Sequence, residues 1–106
     1  MSLEGQSPQT VLDTVTHEIG HNVYFNLWRE DFDFDRRWDA IHRQAKEIHG
    51  ATGAGFVSNY AQTDRYEDFA ESYLAYIRYP AILQAVSPEK YEYLRREVFA
   101  GREYTY

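Results

Sequence analysis

Two short runs hold residues that can do chemistry together: His17-Glu18-Ile19-Gly20-His21 and, about forty-five residues on, Glu67-Asp68-Phe69-Ala70-Glu71. On an α-helix, residues four apart are separated by about 40° around the axis and about 6 Å along it, so His17 and His21 can aim both imidazoles at one ion. Glu18 then sits to one side, where a metal-activated water would lie, and can act as its general base. Shuffling this composition yields H-E-x-x-H in roughly one sequence in a hundred, and the bland reading is a solvated amphipathic helix with two stray histidines. The second cluster weighs against that reading. A catalytic zinc takes three protein ligands and keeps one position for water, and Glu67 and Glu71 share one face of a helix that can supply the third.

Other zinc layouts do not fit. The longer H-E-x-x-H-x-x-G-x-x-H pattern needs Gly at 24 and His at 27, where Tyr24 and Leu27 stand. The chain has no cysteine, which excludes thiolate zinc sites, disulfides and cysteine nucleophiles. The third ligand must then be a carboxylate or one of the outlying histidines, and a glutamate fits best.

These side chains need helices to hold them. Ser7-Pro8 reads as N-cap and N1 of a helix to about Arg29. Val11, Val15, Ile19 and Val23 form its apolar stripe, with Thr14, His17 and His21 on an adjoining face. Asp31-Phe32-Asp33-Phe34-Asp35 is an acidic turn that caps a second helix. There Phe34, Trp38, Ile41, Ala45 and Ile48 keep a 4-3-4-3 spacing until Gly50 stops it. Residues 50–63 form a glycine-bearing loop long enough to have a function. Asp64 caps the carboxylate helix, which runs to about Tyr79; Glu67 falls at the N3 position of a capping box, from which it could instead reach back to the Asp64 backbone. A short turn from Pro80 to Ala85 leads to Ser87-Pro88, the start of a last helix to Ala100 with Tyr91, Leu94 and Val98 inward and Gly101 as stop. The expected fold class is all-α, a compact bundle of about four helices over residues 7–101. Residues 1–6 read as a vector-derived start and linker without a signal peptide, and residues 102–106 as a frayed tail.

The runs Val57-Ser58-Asn59-Tyr60-Ala61 and Tyr66-Glu67-Asp68-Phe69-Ala70-Glu71-Ser72 resemble the catalytic domain of anthrax lethal factor and its relatives, including the Pro-Pro endopeptidases. The likeness extends from about Val11 to Phe99. It implies a secreted, extracellular bacterial zinc metallopeptidase, or a domain of one, acting on a peptide or protein substrate. It implies Glu67 as the third zinc ligand. Tyr60, seven residues before Glu67, would donate a hydrogen bond to the oxyanion of the tetrahedral intermediate. Glu71 could itself be the ligand, but two carboxylates four apart more often divide the work, and Glu71 would then accept the other ring N–H of His17. Peptidases of this type place a β-sheet before the H-E-x-x-H helix, and its edge strand aligns the substrate. Too few residues precede the first helix here to form one. The chain is therefore read as the helical half of such a domain, with the upstream sheet missing. An apolar face around Val11 and Val15 is expected to be exposed and to favour self-association. The competing reading is a zinc-binding toxin or interaction module with no turnover of its own.

Composition sets the remaining bounds. At 106 residues the chain is one domain, able to bury about two-thirds of its unfolded surface. A net charge of −6 argues against a nucleic-acid partner, and no apolar run is long enough to span a bilayer. Gly20 either permits close packing behind the zinc helix or is simply a tolerated helix glycine. His42 and His49 read as surface residues, Trp28, Trp38, Tyr73, Tyr76 and Tyr91 as core or interface, and Arg36-Arg37 and Arg95-Arg96 as solvated charge.

Overall fold

The structure, a computed structural model, describes residues 8–99. The expected Ser7 cap and Gly101 stop, the residues 1–6 read as a vector-derived start and the residues 102–106 read as a tail lie outside the described residues. Within them the chain is all-helical, in the order α1 (Pro8–Glu30), α2 (Phe32–His49), a 3-10 turn (Tyr60–Gln62), α3 (Arg65–Arg78), α4 (Pro80–Val86) and α5 (Pro88–Glu97). Five helices stand where about four were expected. The turn read from Pro80 to Ala85 is two turns of helix, because Pro80 both ends α3 and supplies a ready-made N1 position for α4. Leu83, fully buried, anchors α4 to the core. The last helix stops at Glu97 rather than Ala100.

The capping residues act as their types require. Asp31 is the one-residue joint between α1 and α2, and its side chain accepts the Asp33 N–H at 3.0 Å. Asp64 accepts the Glu67 N–H at 2.9 Å, and Ser87 the Lys90 N–H at 3.2 Å. Between α2 and the 3-10 turn the chain passes through Gly53, whose φ is +72°. A Cβ there would also stand 2.6 Å from the Gln62 side-chain nitrogen, a flexible end that can move aside, so it is the positive φ that requires glycine.

α3 is the central element. Asp68, Phe69, Ala70, Ser72, Tyr73, Ala75 and Tyr76 are all buried, so more than half of its circumference is covered, and the side bearing Glu67, Glu71 and Leu74 is half-buried. Its most extensive contact is with α1. Tyr24 of α1 lies edge-on to Phe34, Phe69 and Tyr66 with ring centroids 5.2, 5.0 and 5.4 Å away. Such pairs each add about 0.5–1.5 kcal/mol beyond burial. The Tyr24 hydroxyl donates to Asp35, which also receives Arg65 Nε at 2.8 Å, tying α1, α2 and α3 at one point. Burial first, and the Asp35 carboxylate second, push the Tyr24 phenol well above its ordinary pKa. Trp38, Tyr73, Tyr76 and Tyr91 are core residues as expected, and Trp28 packs partly buried against them.

Two expectations fail. Ile48 does not continue the buried stripe of α2: it lines a shallow recess beside Val86 and Pro88 and stays 64 % exposed, because the covered side of the helix passes through His42, Ala45 and His49 instead. His42, read as a surface residue, is buried. Its Nδ1–H donates to Asp68 Oδ2 at 2.8 Å. Asp68 is itself fully buried and takes Lys90 Nζ at 2.9 Å on both carboxylate oxygens. Lys90 also donates to the Gly55 carbonyl at 2.8 Å and lies 3.8 Å from the centroid of the Phe56 ring. Desolvation lowers the Lys90 pKa while Asp68 opposes that shift. The opposite situation holds on α1, where Leu12, Val15 and Ile19 form an exposed apolar stripe.

Removing one member of a buried ion pair strands the other's charge. Lys90→Met is therefore expected to destabilise the fold by about 3–5 kcal/mol in urea unfolding followed by circular dichroism. Adding Asp68→Asn should recover a large part of that loss. Equal losses in the single and double variants would show that charge is not what Lys90 contributes.

Candidate metal centre

α1 presents His17 and His21 on one face, one turn apart, and α3 presents Glu67 and Glu71 in the same way. The two faces meet because α1 carries no side chain at Gly20. A Cβ at that position would come within 3.1 Å of the Ala70 Cα and 3.2 Å of Tyr73 Cβ and Cδ1. Of the two readings of Gly20, close packing is the one observed.

Four predicted residues converge. His17 Nε2 and His21 Nε2 are 3.1 Å apart. Glu67 Oε1 is 2.7 Å from His21 Nε2, and Glu67 Oε2 is 3.4 Å from His17 Nε2. The ligand atoms of a tetrahedral zinc lie about 3.3 Å apart, given bonds of about 2.0–2.1 Å. The observed separations bracket that value. Glu67 occupies the N3 position of α3, yet its carboxylate lies against the two histidines. Glu71 Oε2 is 2.8 Å from His17 Nδ1. A carboxylate only accepts, so His17 donates from Nδ1, and in the neutral ring Nε2 carries the lone pair that faces His21 and Glu67.

The hydrogen-bond inventory then leaves a deficit. Neither His17 Nε2 nor the Glu67 oxygens bring a proton, so the donors into the cluster are His21 Nε2 and, from its rim, the Tyr60 hydroxyl, which bonds Glu67. Glu67 Oε2 is buried and has no hydrogen-bond partner. A buried carboxylate oxygen without a donor costs free energy that a cation at the same point would offset. Among the described residues, the ion-pair partners of Glu67 and Glu71 are histidines alone. The residues present fit a divalent ion of the zinc type, with two imidazole nitrogens and one carboxylate as donors.

Glu18 is exposed, and an oxygen of its carboxylate lies within 4.8 Å of ligand nitrogens of His17 and His21. It competes with Glu67 for the third ligand position, but Glu67 is closer to both histidines and better buried. Tyr60 is exposed in the 3-10 turn, its ring centroid 5.8 Å from that of His17. A hydrogen bond with Glu67, with the carboxylate charge as the next cause, pushes the Tyr60 phenol above its ordinary pKa. His17, Glu18, Tyr60 and Glu71 border an open cleft of about 430 Å³ whose other walls are Thr10, Asp13, Thr14 and Leu74. At its far side Asp13 is held by Arg78 Nε and the Tyr79 hydroxyl, each at 2.9 Å.

One member of the site lies in a run that carries the resemblance, but neither its type nor its spacing gives it a role there. Ser58 Oγ donates to Glu71 Oε1 at 2.7 Å. No spacing rule links a loop serine to a helix carboxylate thirteen residues on, and only the fold of the loop brings them together. Of the outlying histidines, His42 is committed to Asp68, and neither it nor His49 joins the cluster.

Comparison with protein-family models, with curated proteins and with solved structures finds no match for this chain.

The α1–α3 approach can be probed at Gly20. Gly20→Ala gains about 1 kcal/mol of helix propensity but must displace α3 backbone at Ala70 or the base of Tyr73. Because one of those atoms is main chain in a covered helix, a net loss of stability is expected in urea unfolding. A net gain would show that the spacing between α1 and α3 is slack.

Proposed function

We propose that this chain is the metal-binding core of a zinc-dependent endopeptidase of the glutamate-ligand type. His17, His21 and Glu67 hold the zinc, Glu18 is the general base, Tyr60 is the oxyanion donor and Glu71 orients His17. One observation carries the reading. Two imidazole nitrogens and a carboxylate converge between α1 and α3, and the inner carboxylate oxygen is buried without a partner.

Bound zinc supplies a water of lowered pKa and polarises the carbonyl that the water attacks. Glu18 takes the proton of the attacking water and delivers it to the leaving amine, and its exposed place beside the cleft lets it reach both. Tyr60, now held by Glu67, turns its hydroxyl to the developing oxyanion; such a donor is worth roughly 3 kcal/mol of barrier. Glu71 accepts the His17 Nδ1–H and keeps the Nε2 lone pair aimed at the cluster. The cleft takes a peptide or protein substrate, and we infer a reaction outside the cell from the resemblance to secreted metallopeptidases.

A second reading is a zinc-binding toxin or interaction module without turnover. It is favoured by the exposed stripe of Leu12, Val15 and Ile19 on the helix that bears the histidines. That stripe is also the face through which copies of the chain would self-associate.

Protein prepared without chelator should contain about one zinc per chain by elemental analysis. The His17→Ala, His21→Ala double variant should contain none, and undiminished zinc in it would remove the assignment. Glu67→Gln should weaken zinc binding far more than Glu71→Gln, for which a loss of about 10–100-fold is expected. A reversed order would make Glu71 the ligand.

Glu18→Ala should retain zinc and abolish hydrolysis of a peptide library, while Tyr60→Phe should lower turnover with little change in metal content. Both variants are read in a form extended upstream, because the chain by itself, read as lacking the substrate-aligning sheet, is expected to be a poor peptidase. Turnover by the extended form separates the peptidase from the module. Unchanged hydrolysis in the Glu18 variant would end its role as base.

A further inference from the structure

The loop between α2 and α3 is anchored at two places by different chemistry. Upstream, Lys90 Nζ holds the Gly55 carbonyl at 2.8 Å, inside the core. Downstream, Ser58 Oγ donates to Glu71 Oε1 at 2.7 Å and accepts the Ala61 N–H at 3.1 Å. A hydroxyl has one proton and two lone pairs, and a carboxylate cannot donate, so the directions are fixed. They form one chain: Ala61 N–H to Ser58, Ser58 O–H to Glu71, and His17 Nδ1–H to the other oxygen of Glu71. Tyr60 lies inside the turn that the Ala61–Ser58 bond closes, with its ring 5.8 Å from the ring of His17.

We propose that Ser58 is a positioning residue of the metal centre: through one hydroxyl it sets both the orientation of His17, by way of Glu71, and the placement of the Tyr60 turn. The proposal rests on the zinc reading above. Glu71 has two oxygens and two obligations, one to His17 and one to the loop. Without the Ser58 donor, the carboxylate is free to rotate about its terminal torsion, and the His17 ring loses its fixed reference. The 3-10 turn loses the acceptor of its Ala61 N–H at the same moment. The loop as a whole stays in place, because Lys90, Gly55 and the buried Phe56 hold it independently. A change at Ser58 should therefore act on the site and not on folding.

The experiment is a double-variant cycle read by zinc affinity, using competition with a chromogenic chelator, and by exchange of the His17 ring N–H in NMR spectra of the metal-free protein. Ser58→Ala is expected to weaken zinc binding about tenfold, the low end of effects from groups behind a ligand. It should also accelerate exchange of the His17 Nδ1 proton. Ser58→Thr keeps the hydroxyl and should restore both readouts. In a Glu71→Gln background, Ser58→Ala should have little further effect, since the chain is already broken. A merely structural role would give additive losses in that background, and this result would overturn the proposal. So would unchanged affinity and exchange in Ser58→Ala. If the unaltered protein binds no zinc while the His17 proton still responds to Ser58→Ala, the zinc reading fails and the positioning of His17 by Ser58 stands.

Discussion

Asp68 is a fully buried carboxylate in the middle of α3, and much of the rest of the structure follows from satisfying it. An ionised carboxylate removed from water costs several kcal/mol unless it is paired and hydrogen-bonded. Lys90 from α5 approaches both oxygens and His42 from α2 donates to one of them. Those partners lie on one side of α3, so the helix has one permitted rotation about its axis. Successive residues turn by about 100°, and with Asp68 directed at Lys90, Glu67 and Glu71 emerge toward α1. The same lysine holds the Gly55 carbonyl, which starts the loop on the path that delivers Ser58 and Tyr60. One ion pair thus sets the phase of the helix that bears the carboxylates and the course of the loop beside it.

The opposite half of the site is set by shape. α1 can come close to α3 only where Gly20 faces Ala70, two positions with little or no side chain. His17 and Tyr24 flank that contact. Above it, the histidines meet the glutamates; below it, Tyr24 enters the aromatic core against Phe34 and Phe69. The Tyr24–Asp35–Arg65 contact then fixes the start of α3, two residues before Glu67. The polar cluster is therefore held from both sides by groups that never touch it. This is the kind of support that lets lone pairs remain aimed at one another across a contact they would otherwise avoid.

Much was legible in the chain before any fold was known. The i, i+4 spacing of His17 and His21 and of Glu67 and Glu71 is local geometry, and a helix puts each pair on one face whatever surrounds it. Asp31, Asp64 and Ser87 cap their helices because short acceptor side chains meet free N–H groups there. The absence of cysteine and the failure of the longer histidine pattern left a carboxylate as the best third ligand. Pro80 both ends one helix and begins another, and the linear pattern showed only the first.

Tertiary structure decided everything that depends on which faces meet. His42 looks like an exposed helix histidine until Asp68 is placed opposite it, and Ile48 looks like core until the covered side of α2 is found to pass through His42, Ala45 and His49. Glu67 could have closed its own capping box; the approach of α1 turned it to the histidines instead. Ser58 shows no role in the linear chain, because its partner is reached through a loop whose path is set by a lysine thirty-five residues beyond Gly55. Sequence spacing determines contacts along one helix, where the backbone supplies the geometry. Contacts between helices depend on how buried charge is paired and where side chains are small enough to let backbones approach, and these are properties of the packed molecule.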